Sequence, residues 1–341
     1  MTYCSPNRTL TYLDTPAFFS LSLHIFTILA IPTHLFGAYC ILFKTPSRMI
    51  SVKWSLLHLH FWTCFVDLGV SLLTTPFTVL PVIAMYPLGI LRFTGIPEEL
   101  QSYIMFTAIG AMLVSVAGLF ENRYRVLIFE NHWWHRLEVP WYIANFTFSF
   151  TYFLPVCYYF PKDQEKANEF VKEKLPCLSE EAKTARFFVM TEDPSLLLAV
   201  GGCQVIIIMI QSLRFYRLIR DNFKTYGTRM SSKTISMQKK LMRTLMFQLL
   251  VPFLVIFSPF CYTGTASFFG YHNQAGNNIS IIILSSHGFF STIAMVLMHL
   301  PYREELLRLI GFKKLNVFAS AKSSVVVVTT DFTTRKQTLN I

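Results

Sequence analysis

Long apolar runs separated by short charged segments are the dominant pattern of this 341-residue chain. About 20 apolar residues in a helix cross the ~30 Å of hydrocarbon in a bilayer, and a charge at mid-membrane costs about 2.5–3.5 kcal/mol. Runs free of charged residues therefore mark candidate spans. Five such runs, the second of them interrupted only by Asp67, predict helices over residues 17–43, 55–80, 101–121, 139–160 and 195–215.

A sixth uncharged run is too long for one span, because 59 residues separate Arg243 from Arg303. A polar, glycine-containing stretch at 270–278 divides it and predicts two further helices over 244–269 and 279–300. The pattern thus predicts an all-α integral membrane bundle of seven helices, with its two termini on opposite sides of the membrane.

Composition supports this fold class, since 53% of the residues are hydrophobic, only 14% are charged and the mean hydropathy is +0.44. Soluble domains carry about 25% charged residues. Water-soluble enzymes, collagen-like chains and disordered regions are therefore excluded. The segments between the spans are shorter than the ~50 residues of a small domain. This favours a receptor, transporter or channel over a chain with an appended enzyme domain.

The distribution of Lys and Arg predicts the orientation, because cytoplasmic segments carry the excess of positive charge. With the amino terminus outside, the inner segments hold 22 basic and 7 acidic residues, whereas the outer segments hold 8 basic and 11 acidic. The net charge of +11 is thus explained by topology in a lipid bilayer. A nucleic-acid partner is not needed to explain it.

The two ends of the chain have different predicted roles. Residues 1–320 are predicted to form the transmembrane domain, ending in a short amphipathic helix on the inner membrane surface after the seventh span. Residues 321–341 form a cytoplasmic tail rich in Ser and Thr, whose hydroxyl groups are candidate phosphorylation sites.

Three residues of the predicted outer segments are candidates for covalent modification. Asn7 begins an Asn-Arg-Thr sequon, a possible N-glycosylation site. Cys4 and Cys177 are the two cysteines, of seven, that lie in predicted outer segments, where a disulfide can persist. They form either a disulfide or two free thiols, and the sequence leaves both possibilities open.

Asp67 is the one acidic residue in the interior of the predicted spans, away from their ends. A carboxylate there must face the bundle interior and find water, an ion or a polar partner. It is either a switch residue or a structural, hydrogen-bonded aspartate.

Three motifs together resemble those of nematode serpentine chemoreceptors of class H, which are G-protein-coupled receptors. They are Lys53-Trp-Ser-Leu-Leu-His-Leu-His-Phe-Trp with Asp67 downstream, Phe120-Glu121-Asn122-Arg123-Tyr124 and His299-Leu-Pro301-Tyr302-Arg303. The resemblance implies a plasma-membrane receptor, with the cilia of sensory neurons as the expected location. Such a receptor binds a small, odorant-like molecule among the outer helix halves and activates a heterotrimeric G protein inside. It is not an enzyme, and neither a cofactor nor a metal is expected.

The same resemblance implies roles for individual residues. Glu121, Arg123 and Tyr124 would form the G-protein coupling motif, with the acid and the arginine as a charge pair that opens on activation. Residues two apart on a helix do not face each other, however, which argues against a direct pair. Interfacial charges without that role are the alternative. Asp67 would couple an ion or water network to helix movement.

The resemblance places the motif Pro301, Tyr302 and Arg303 at the inner end of the seventh span, as part of the coupling and switch residues.

Two other classes compete with the receptor interpretation. A multi-pass transporter or channel without G-protein coupling would need a polar pathway through the helix bundle. Asp67 alone is weak evidence for such a pathway. A membrane metalloenzyme could use His58, His60, His132 and His135. Four histidines without a carboxylate-rich motif are too few for a di-metal centre.

Overall fold

The computed structural model describes residues 3–4, 9–225 and 232–311, so that Asn7 and the tail 321–341 lie outside the described residues. Helices lie at each predicted span. Their bounds are α1 Pro16–Phe43, α2 Ile50–Leu68, α3 Glu98–Leu127, α4 Trp134–Thr151, α5 Leu154–Tyr158, α6 Gln164–Lys174, α7 Glu180–Thr184, α8 Ser195–Thr225, α9 Ser232–Phe268, α10 Gln274–Ser285, α11 His287–Met298 and α12 Leu300–Leu309. Three strands accompany them: β1 Pro76–Val79, β2 Ile83–Pro87 and β3 Phe188–Thr191.

The predicted helical membrane fold is confirmed. Within the described residues, five helical stretches are long and apolar enough to cross a membrane: Pro16–Phe43, Ile50–Thr74, Glu98–Leu127, Ser195–Thr225 and Gln274–Met298. The apolar part of α9, Phe253–Phe268, is shorter. The last of the five stretches consists of α10 and α11, which meet at Ser286.

The second span differs from its prediction of 55–80, because its helical part ends at Thr74 after one π-helical turn. Thr75 has a left-handed backbone (φ 43°), and β1 begins directly after it. Pro76, Pro81 and Pro87 follow closely, and proline lacks the N–H that a helix needs. Strands β1, β2 and β3 form an antiparallel sheet in that order, with Phe77 opposite Tyr86.

The sheet has two apolar faces, because successive side chains of a strand point in opposite directions. On one face Phe77, Val79 and Val189 pack with α6, α7 and the first turns of α1. On the other face Ile83 and Met190 pack towards α4 and α8, among side chains that include Leu80, Tyr152, Phe153, Phe188 and Leu197. The sheet therefore joins a small outer core to the helix bundle.

The amino-terminal segment is fastened to this end of the molecule, which we call the sheet end (β1–β3, α6 and α7). Cys4 and Cys177 form a disulfide. The Tyr3 N–H donates to the carbonyl of Lys174 at 2.9 Å. Asp14 accepts from the N–H of Ala275 at 3.0 Å, which attaches the segment to the start of α10.

At the opposite end, which we call the α12 end, the core lies around α3. Leu119 and Tyr124 of α3 are buried among Leu56 of α2, Phe215 of α8 and Tyr302 of α12. Helix α3 packs on α2, α4 and α8 and so runs through the centre of the molecule from the sheet end to the α12 end.

Candidate functional site

A cavity of about 310 Å³ lies between the helices directly under the sheet. Side chains of the sheet end form its roof, namely Leu80, Ile83, Met85 and Met190. Its walls come from α3, α8, α9 and α10, and they are mostly apolar, with Met105, Phe106, Met112, Val205, Phe260 and Leu284 among them. The volume is at the lower end of the ~300–1,000 Å³ of small-molecule sites.

Few polar groups line this cavity. Gln204 of α8 is 1% exposed, and its Nε2 donates to Ser149 Oγ at 3.3 Å. Its Oε1 has no hydrogen-bond partner among the described residues. Glu98, in the first turn of α3, is charged and half-buried at the rim, and the other described lining residues are uncharged. The cavity therefore suits a small and largely apolar molecule.

Asp67 lies fully buried in the middle of the bundle, at the point where α11 begins. Its carboxylate accepts from the backbone N–H groups of Gly288 (3.0 Å) and Phe289 (2.8 Å). His34 Nε2 and His287 Nδ1 lie 3.2 and 2.9 Å from the two carboxylate oxygens. The first turn of a helix carries free N–H groups and partial positive charge, so the carboxylate caps α11.

This arrangement differs from a cation site. Hard cations are bound by oxygen ligands, whereas both Asp67 oxygens face N–H donors or imidazole nitrogens. A Cβ at Gly288 would overlap the carboxylate, so glycine permits the close approach. The geometry favours the structural, hydrogen-bonded interpretation of Asp67 over an ion-binding one.

His287 connects the Asp67 cluster to the cavity wall. Its Nδ1 lies 2.8 Å from the Leu284 carbonyl, and its Nε2 lies 3.1 Å from Met112 Sδ. Leu284 and Met112 both line the cavity. A molecule in the cavity would therefore contact two residues that touch His287, which in turn touches Asp67.

The motif at the α12 end of α3 does not form a charge pair. Glu121 is buried and accepts from Trp134 Nε1 (2.8 Å) and from the Tyr142 hydroxyl (3.1 Å), both on α4. Arg123 is 5% exposed, forms no ion pair with a described carboxylate, and has no partner for its Nε. The pair that the resemblance implied is thus absent, because the two side chains leave α3 in different directions.

Tyr124 lies beside an aromatic cluster at the start of α4. Its ring makes edge contacts with His132 (5.9 Å between centroids) and Trp134 (6.2 Å), and it meets Phe215 of α8 at 5.9 Å.

The histidines considered as metal ligands lie in this region and in α2. His58 of α2 has a hydrogen-bond partner in the protein, since its Nδ1 lies 3.1 Å from Ser115 Oγ. In the described part of the chain His58, His60, His132 and His135 do not come together as one metal-ligand cluster, and His60 lies instead beside His34 and Cys64.

The Pro-Tyr-Arg motif begins α12. Pro301 is in its first turn, Arg303 is exposed, and Tyr302 is completely buried, with its hydroxyl 2.6 Å from Thr45 Oγ1. One turn later Glu305 accepts from Tyr39 (3.1 Å).

Glu305 also holds two cations, with Lys44 Nζ at 3.2 Å and two hydrogen bonds from Arg308. These donors, Arg308 above all, hold the pKa of the Glu305 carboxyl below its ordinary value. Helix α12 is therefore fastened to the end of α1.

Comparison with known proteins agrees with this architecture. Residues 14–312 match the family model of the serpentine type 7TM GPCR chemoreceptor Srh. The chain belongs to this family. It is also 27% identical over 317 residues to serpentine receptor class H-72 of Caenorhabditis elegans, with 89% of this chain and 86% of the relative covered. Membership of the Srh chemoreceptor family confirms the resemblance seen in the sequence.

Some residues of the site were not anticipated from sequence. His34 and His287 lie in apolar helices, and a polar side chain in a membrane span needs a partner, which is a signal that could have linked them to Asp67. Gln204 carries the same signal in α8. Trp134 and Tyr142 carried none, because aromatic residues are common at membrane interfaces.

Proposed function

We propose that this chain is a chemosensory receptor of the plasma membrane that binds a small molecule in the cavity and activates a heterotrimeric G protein at the α12 end. In this orientation the sheet end faces outside and the α12 end faces the cytoplasm, as the distribution of Lys and Arg predicts. The observation that carries the proposal is the direct contact of the cavity wall with the buried Asp67 cluster.

Ligand binding can shift a conformational equilibrium only if the ligand contacts differ between the two states. Here Met112 and Leu284 line the cavity and contact His287, and Asp67 holds α2 against the start of α11. A ligand that displaces Met112 changes the position of His287 and so the cap on α11. Helix α11 continues to α12 at the opposite end, where a G protein would bind.

Arg123 is suited to contact the G protein at the α12 end. Its buried guanidinium is held without an ion pair to a described carboxylate, at the last turns of α3. A buried charge without a partner is costly, so a partner that supplies an acceptor there gains affinity. The basic residues Arg214, Arg217 and Arg220 of α8 add positive charge on the same side.

The test is recruitment of a G protein to the full-length receptor in cells, with and without a panel of odorants. We expect Arg123→Ala to abolish recruitment at matched surface levels. Arg92→Ala, which removes an arginine at the sheet end, is the control and should recruit normally. Normal recruitment in Arg123→Ala would refute this coupling site. Ligand-gated currents from purified protein in bilayers, without recruitment, would instead favour the channel alternative.

A further inference from the structure

The wall of the cavity is thin between α8 and α9. Helix α8 packs on α3, and α9 packs on α10 and α11, whereas the described residues show no comparable packing of α8 against α9. Phe260 of α9 lines the cavity although 42% of it is exposed. Gly201 of α8 also lines the cavity, and a Cβ there would meet only open space.

Two further glycines of the same helices lie outside the cavity lining. A Cβ at Gly202 of α8 or at Gly264 of α9 would likewise have no neighbour within 4 Å. The helix surfaces nearby are apolar and exposed, with Ile206 at 58% and Phe257 at 50%. In a membrane receptor such surfaces face lipid, so the gap opens towards hydrocarbon rather than water.

The cavity is covered on the side of the sheet. Leu80, Ile83 and Met190 are buried in its roof, and the disulfide between Cys4 and Cys177 fastens the outer layer above them. Glu98, which also lines the cavity, is half-buried.

Gln204 gives the cavity a chemical preference. Its Oε1 is a buried acceptor without a described partner, in a lining that is otherwise mostly apolar. A ligand N–H or O–H placed beside it would satisfy this oxygen, whereas a ligand without a donor would leave it unsatisfied. An ionised ligand would lose its hydration without gaining a counter-charge deep in the cavity.

We propose that the receptor takes up its ligand from the bilayer through the gap between α8 and α9, and that this ligand is a small, uncharged, largely apolar molecule with a hydrogen-bond donor for Gln204. This inference rests on the proposed function, because it takes the cavity as the ligand site. Partition into lipid concentrates such molecules beside the gap.

Photolabelling of the purified full-length receptor in lipid vesicles tests the route. The probe is a medium-chain alkanol that carries an aliphatic diazirine, dissolved in the vesicle lipid, with labelled residues identified by mass spectrometry. We expect labelling of Met105 and Ile109, which line the cavity on α3, and of the lipid-facing Ile206, which serves as the internal standard.

Two substitutions test this route of entry. Gly201→Trp should abolish labelling of Met105 and Ile109 while Ile206 is still labelled, because the new side chain fills the gap. Gly202→Trp, which changes the neighbouring glycine outside the lining, should leave the labelling unchanged. Normal labelling in Gly201→Trp, or equal loss in Gly202→Trp, would overturn the route.

The methyl ether of the same probe tests the donor, since it cannot donate a hydrogen bond. We expect it to label the α3 residues about tenfold less than the alkanol, and Gln204→Leu to remove this difference. Equal labelling by both probes in the unmodified receptor would refute the role of Gln204. No signalling is measured, so a failure of G-protein coupling would not affect these results, and a failure of labelling would not refute coupling.

Discussion

At the scale of single residues, Asp67 shows how a membrane protein accommodates a carboxylate. The side chain is fully buried, and the protein surrounds it with two backbone N–H groups from the start of α11 and two imidazole rings. His287 Nδ1 has two acceptors, the Leu284 carbonyl and Asp67, so this nitrogen carries a proton. The cluster joins α1, α2 and α11 at one point.

The close approach of Asp67 to Gly288 gives a prediction with a matched control. We expect Gly288→Ala to lower the free energy of unfolding by about 1–3 kcal/mol, because a Cβ there overlaps the carboxylate. Gly264→Ala adds the same methyl group to a helix where it has open space, and should be neutral or slightly stabilising. Thermal unfolding of both variants in detergent checks this. Equal melting temperatures would contradict the overlap.

At the scale of secondary-structure elements, α12 is held by polar contacts that respond to pH. The Glu305 pKa is lowered because Arg308, Lys44 and Tyr39 donate to its carboxylate. A lowered folded-state pKa means that the carboxylate stabilises the fold at pH values above its unfolded pKa, and that this contribution is lost as the pH falls through the folded-state value.

We therefore expect the melting temperature of the receptor to fall on acidification through the range about pH 5 to 3, with part of this fall due to Glu305. Glu305→Gln should melt lower at neutral pH and should show a smaller fall on acidification. Glu304→Gln, which changes the neighbouring and exposed glutamate, should resemble the unmodified receptor. An identical pH profile for Glu305→Gln and the unmodified receptor would show that the contact contributes nothing.

The elements themselves were predictable to different extents. Helices such as α1 and α3 follow from the length of one uncharged run, which is a local property of the sequence. The sheet does not, because β2 pairs with β3 more than a hundred positions further along the chain, and the prolines of 76–87 predict only that the helix ends. Long-range pairing of this kind cannot be deduced from local pattern.

The same distinction holds for the site. That Asp67 needed a buried partner followed from the cost of a carboxylate in a membrane. That His34 and His287 are those partners depends on how α1 and α11 pack, which the sequence of α2 does not determine. The cavity and the unpaired oxygen of Gln204 likewise depend on the packing of several helices.

At the scale of the whole molecule, the disulfide between Cys4 and Cys177 closes a long covalent loop, because the two cysteines are 173 residues apart in the sequence. We expect Cys177→Ser to lower the free energy of unfolding by about 2–4 kcal/mol, because the unfolded chain regains freedom. Cys203→Ser, which removes an exposed free thiol, is the control. Thermal unfolding under non-reducing conditions measures both, and equal stability of the two variants would contradict a structural role for the disulfide.

The two-faced sheet has a consequence for how this receptor can diverge in evolution. Met85 and Met190 line the cavity, whereas Ala84 and Val189 of the same strands pack in the separate outer core. A mutation at Met85 or Met190 therefore alters the shape of the cavity without changing the core on the other face of the sheet. Duplicated copies of such a gene could acquire new ligand preferences through mutations at Met85 and Met190. Selection for correct folding would meanwhile act on the residues of the other face of the sheet.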